Sequence, residues 1–313
     1  INAMIFNKDK NGAKELRELT SNYYANNDFN KIIGEIELAA DELEQLVGKP
    51  VMNLAEKYYN TSEESKEHLD FVRKVQRPIA LLATLRLYQK NDLSHEDDGR
   101  KFKVATDNSE KLPWEWQLDR DDALHLEEYY KAVDVLIRYL NDEEPEEWTN
   151  SDTYKLSQTL LIRNGASFDR YFPIEKSERM FLILLPFIQE AQQLTVKRAY
   201  GVTSWDVLVT EKEVPETDAH FAACKAVALL AMSMALRRLS LSVIPGGIVR
   251  KFMAESGMGK SEPVLLEDVN RVSQWLVDDA AVWIDEMKRA RDGSIPEYDL
   301  LPKNDKRNKY CRL

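Results

Sequence analysis

Ile79-Ala80-Leu81-Leu82-Ala83 returns almost unchanged as Val227-Ala228-Leu229-Leu230-Ala231, 148 residues further on. The displacement reaches well beyond this stretch. At the same spacing Tyr23-Tyr24 meets Tyr171-Phe172, Ile32-Ile33 meets Met180-Phe181, Ile36 meets Leu184, and Leu43 meets Ala191. Further along, Gly99 meets Gly247, Leu118-Asp119 meets Leu266-Glu267, Ala132-Val133 meets Ala280-Ala281, and Leu136 meets Ile284. Shared helical periodicity aligns one apolar stripe with another. It does not hold a register across loops, nor recover it after the short insertion that sets Gly201 opposite Gly48. The chain therefore reads as one unit used twice.

The unit itself reads as helical. In residues 28–47 the apolar positions Ile32, Ile33, Ile36, Ala39, Ala40, Leu43, Leu46 and Val47 form a stripe at helical spacing. Asp28 suits an N-cap, and Gly48 with Pro50 suits a stop. Thr61 and Glu64 have capping-box spacing ahead of a long helix through Leu69, Val72, Val75, Ile79, Leu82 and Leu85, with Pro78 expected to kink or break it. Residues 92–117 carry Asp98-Gly99, Asp107-Asn108 and Leu112-Pro113 around Phe102–Ala105, which predicts a loop with a small β-hairpin. Helix resumes from about Asp121 to Leu140. The expected fold is all-α: two tandem similar helical units, each with a small hairpin-bearing loop. Ile1-Asn2-Ala3 precedes Met4, which we read as the native start. The first unit is placed at 4–145, the acidic, Pro-bearing stretch Asn141–Asn150 marks the boundary, and the second unit is placed at 150–300. A polar, basic tail follows at 301–313.

With 313 residues, each unit is long enough for its own core. Only 11 glycines and 11 prolines fit long helices with few tight turns. The net charge of −11 excludes nucleic-acid binding through the bulk field, although a passage of like charge lets DNA slide without sticking. Two cysteines, Cys224 in an apolar helix and Cys311 in the tail, form no disulfide framework or metal pair, which suits a reducing, cytoplasmic setting. No apolar run reads as membrane-spanning and no signal peptide is apparent.

Two segments of the first unit carry a resemblance. They are "ELAADELEQLVGKPV", a helix ending in Gly-Lys, and "RPIALLATLRLY", an Ala-rich second helix followed by a Gly-bearing hairpin region. In that order they resemble the helical head–tail connector or adaptor proteins of tailed phages. The chain as a whole is similar to uncharacterised, internally duplicated, phage-derived proteins of Bacteroides-type bacteria. The resemblance covers residues 28–140 and, through the repeat, 176–290. It implies a non-enzymatic virion component, put together in the cytoplasm and assembled as a homo-oligomeric ring between portal and tail-side proteins. DNA would pass through the lumen without sequence-specific contact. It implies no cofactor, metal or membrane. The hairpin loops, with Arg100 and Lys101 in the first copy and Arg250 and Lys251 in the second, become contact candidates, as does the tail "KNDKRNKYCRL".

Other residues point to chemistry less well. "RDDALH", Arg120 to His125, resembles the R-x4-H motif of HEPN-type ribonucleases, where His works in acid–base catalysis and Arg stabilises phosphorane charge. Here Asp119, Asp121 and Asp122 crowd Arg120, and the second copy has Asp268 and Ser273 instead. "GMGKS", Gly257 to Ser261, ends like a phosphate-binding loop, but Ala254 stands where a glycine is required and Pro263 follows too soon for a helix. "HEDD", His95 to Asp98, cannot readily turn four consecutive side chains onto one cation. His68 and His220 have no partner at metal-ligand spacing, and Cys224 reads as a buried structural thiol. Trp114 and Trp116 flank Glu115. Their alternation puts both rings on one face of an extended segment, either capping the core or anchoring an interface.

Overall fold

The computed structural model describes residues 5–21, 28–61, 65–92, 94–96, 99–101, 114–210, 217–239 and 266–292. Among the described residues the chain is all-α apart from one short hairpin, and it is built from two tandem similar helical units. In the first, α1 (Gly12–Thr20), α2 (Ile33–Val47), α3 (Lys49–Asn60) and α5 (Glu115–Glu143) all pack on α4 (Lys66–Asn91). Helix α4 can take neighbours on every side because it is apolar nearly all round: Phe71, Val75 and the whole run Pro78–Leu85 are buried. That packing also explains Pro78, which lies inside an unbroken α4 and does not end it. Contacts on both sides outweigh the one backbone bond that proline removes.

Gly48 ends α2 at φ 87°, ψ 150°, a conformation that L side chains rarely adopt. The chain re-enters helix at once, with Pro50 in the first turn of α3. Helix α3 escapes the sequence pattern because its buried stripe is only Val51, Leu54 and Ala55. Two caps differ from expectation. Asp28 caps a 3₁₀ turn at Phe29–Lys31, accepting from the Asn30 N–H at 3.0 Å. Thr61 closes the end of α3, its hydroxyl donating to the Lys57 carbonyl at 2.7 Å, and α4 starts after Ser65. The hairpin pairs β1 (Ser94–Glu96) with β2 (Gly99–Lys101), antiparallel, with His95 opposite Arg100. Phe102–Ala105 lies outside the described residues.

The first core includes Trp148 of α6 (Glu146–Thr149), whose indole N–H donates to Asn141 Oδ1 at 2.9 Å. The first compact unit therefore runs through the acidic 141–150 stretch and on past α7 (Asp152–Gln158). It also takes in residues 164–166 and 174–183.

The second unit comprises 159–163, 167–173 and the residues from 184 onward. Helices α8 (Gly165–Asp169) and α9 (Glu178–Glu190) begin in residues of the first unit and end in residues of the second, and α9 continues through a wide-turned π segment (Ala191–Val196) into α10 (Lys197–Tyr200). Gly201, at φ 107°, ends that helix, and α11 (Val202–Thr210) begins immediately, as α3 begins after Gly48. Helix α12 (Asp218–Arg238) is the counterpart of α4 and packs extensively on α13 (Leu266–Asp292), the counterpart of α5. The register shifts from 148 to 153 between Leu43/Ala191 and Gly48/Gly201, and the π segment lies in that interval. Wider turns take up inserted residues with less rotation of the buried face. The region matching the first hairpin falls outside the described residues.

Contrary to the sequence reading, α12 is long and apolar enough to cross a membrane by length and composition. Its apolar window is 67% buried, with Ala222, Ala223, Ala226, Val227, Ala228 and Ala231 in the core. Covering that helix inside its own unit accounts for its composition.

Candidate functional site

Helix α5 carries most of the candidate residues. It begins at Glu115, earlier than the charged run 119–122 suggests, so Trp116 sits in its first turn and Trp114 is its N-cap. The extended segment expected for the two rings is absent because Gln117 starts the helix: its side-chain oxygen accepts from the Trp114 N–H at 2.9 Å. Trp114 is 70% exposed and Trp116 60%. They do not cap the core. Trp116, Arg120 and Leu124 follow one another at four-residue spacing, all exposed, and make one stripe on the helix. Leu124 was not singled out from sequence, because one leucine among charges carries no signal until the helix phase is known. Arg100 and Lys101 lie on β2, and Arg250 and Lys251 lie outside the described residues.

The Arg120–His125 pair does not converge. Five residues place the two side chains about 140° apart around the helix. Arg120 is exposed, whereas His125 is 1% exposed and its ring N–H donates to the Leu81 carbonyl of α4. Burial lowers its pKa below the ordinary histidine value, against the opposing pull of Glu128, Asp121 and Asp122. Its counterpart at the 148-residue displacement, Ser273, is buried too and exchanges hydrogen bonds with Ser233 of α12 at 2.8–3.1 Å. Both copies thus use this position for a polar link to the central helix. That role places His125 in the core, facing α4.

A second cluster lies farther along α5, where residues 174–183 join the first unit. Asp134 accepts the Arg179 N–H at 2.7 Å and the Ser177 hydroxyl at 3.0 Å, while Ser177 itself accepts the Met180 N–H at 3.1 Å. Two acceptors thus serve the first turn of α9, where free N–H groups favour negative charge. The Arg179 guanidinium lies 3.9 Å from the Tyr130 ring centroid. Glu178 accepts the Gly165 N–H at 2.9 Å and the Asn141 side-chain N–H at 3.5 Å. Burial raises the pKa of both Asp134 and Glu178, and those bonds pull the other way. The packing is close: a Cβ on Gly165 would lie 2.6 Å from the Ser177 carbonyl oxygen. Sequence alone did not mark this cluster, because its members come from three separated segments.

In the second unit Cys224 is buried, with its sulfur 3.7 Å from His220 Nδ1. Helical i, i+4 spacing brings them together. Among the described residues no group of three or more His, Cys, Asp or Glu is arranged to hold a metal ion. His95 and Glu96 lie on β1, and residues 257–261 lie outside the described residues.

The family described as "Family of unknown function (DUF6712)" matches residues 43–158 and 203–309, one stretch in each half and well over half of the chain. The pair of matches agrees with the repeated order of helices. No curated protein and no solved structure matches the chain.

Proposed function

The chain belongs to the DUF6712 family of unknown function, and from that premise we propose that it is a non-enzymatic structural protein of a phage or prophage, of the head–tail connector or adaptor type. The observation that carries the reading is the order of parts in the first unit. A helix ends at a positive-φ glycine, the short helix α3 intervenes, an Ala-rich central helix follows, then a hairpin, then a last long helix. That is the order on which the resemblance to connectors rests, and the chain contains the helical unit twice. The net charge of −11 suits a passage along which DNA moves without adhering. Exposed Trp114 and Trp116, at the foot of α5, supply large rigid anchors for neighbouring ring, portal or tail-side proteins. The protein acts as a virion component assembled in the cytoplasm, with no cofactor.

The test is binding of the purified chain to portal-bearing, tailless capsids from its own host system, read by electron microscopy. Added density at the portal vertex, lost in a Trp114→Ala/Trp116→Ala variant, is the expected result. No density at that vertex contradicts the reading. So does RNA cleavage by the wild type that His125→Ala abolishes, the signature of the ribonuclease alternative built on Arg120 and His125.

A further inference from the structure

One stripe of α5, made of Leu126, Tyr130, Val133, Asp134, Ile137 and Asn141, is buried or half-buried. Three of these side chains, Tyr130, Asp134 and Asn141, hold residues 177–179 at the start of α9. Displaced by 148, the same stripe on α13 is Gln274, Asp278, Ala281, Val282, Asp285 and Arg289, and every one of them is exposed. Val282 is 67% exposed, and Trp275 beside the stripe is 57% exposed.

What fills the stripe on α5 is the beginning of the second repeat. Its counterpart in the first repeat is the beginning of α2, and there the exposure is reversed as well. Glu178 is buried and Leu182 packs partly buried against the first core, whereas Asn30 and Gly34, their counterparts, are exposed. A Cβ on Gly34 would meet nothing within 4 Å. Each repeat thus leaves one half of the same contact exposed, the first at its start and the second along its last helix. The chemistry changes in step across the two halves. Arg179 over Tyr130 becomes Lys31 with Asp278, a pair of opposite charges, both exposed.

We propose that α13 of one copy receives the start of α2 of a second copy, so that chains join head to tail through the contact the repeats already make within the first unit. The contact is heterologous: each copy offers both halves, and repetition closes into a ring or runs on as a filament. The inference rests on the repeat and on exposure, not on the connector reading.

The test is charge exchange in the full chain, read by sedimentation velocity over a concentration series. The wild type is expected to form species larger than dimers as concentration rises. Lys31→Asp alone and Asp278→Lys alone each set like charges opposite one another and push association to concentrations at least about tenfold higher. An equimolar mixture of the two variants restores complementary pairs at every junction, and assembly returns to the wild-type range. Both positions are exposed, so circular dichroism and thermal melting should be unchanged. A wild-type chain that stays monomeric at every concentration overturns the proposal, as does failure of the mixture to recover assembly. Association that appears only when residues 293–313 are deleted also overturns it, because the chain's own end would then be the occupant of the stripe.

Discussion

At the scale of single residues, positions that attract attention for chemistry prove to hold helices together. His125 is the clearest case. Its folded pKa is lowered by burial, so the unfolded chain binds the proton more readily. The histidine contribution is therefore complete above the unfolded value, about 6.5, and is lost as pH falls from there toward the lowered folded value. Urea unfolding at pH 7 and pH 5.5 should show the wild type losing more stability on acidification than His125→Leu. At pH 7, His125→Ala should cost about 1–3 kcal/mol, because it removes a buried side chain and its hydrogen bond to α4. Asp134 and Glu178 carry the opposite sign: their raised folded pKa values make protonation favour the folded form, and that benefit is lost as pH rises through them. Removing the Ser177 cap of α9 with Ser177→Ala should cost about 1 kcal/mol by the same measurement, since the Met180 N–H loses its acceptor.

At the scale of elements, the parts legible in the sequence are those set by long apolar stripes and by glycine. The stripe through Ile32 and Val47 gives α2, and the run around Ile79 gives the buried middle of α4. Gly48 and Gly201 mark two equivalent turns, both at positive φ. Gly48→Ala and Gly201→Ala should each destabilise by about 1 kcal/mol or more, measured by thermal unfolding, because alanine cannot adopt those angles without strain. Short or crowded elements were not legible. Helix α3 has too narrow a stripe, and the first turn of α5 is hidden behind Leu112-Pro113 and a run of charge. Pro78 does not break α4, because local propensity is outweighed when a helix is packed on several sides. The tight seat of α12 follows from its small residues. Ala231, like Ala83 at the matching position, is fully buried, and Ala231→Leu should cost about 1–3 kcal/mol through overpacking.

At the scale of the whole molecule, the repeat was legible in the sequence, but its consequence was not. A shared register shows that a unit recurs. It does not show that residues 174–183 of the second repeat join the first compact unit, because that depends on Asp134, Tyr130 and Asn141 meeting Ser177, Glu178 and Arg179 in space. Nor does a sequence reveal that the matching stripe on α13 is exposed, since Gln274, Asp278 and Val282 look like any mixed helix surface. Only the comparison of equivalent positions, buried in one copy and bare in the other, makes the stripe stand out. On the proposed contact, a helical unit repeated within the chain is also repeated between chains. Electron microscopy of the full-length protein at high concentration tests it most directly. Closed rings or short filaments are expected, in which the start of α2 of each copy lies on α13 of the next. Particles that are only monomers, or dimers related by a two-fold axis through the α13 stripe, would contradict it.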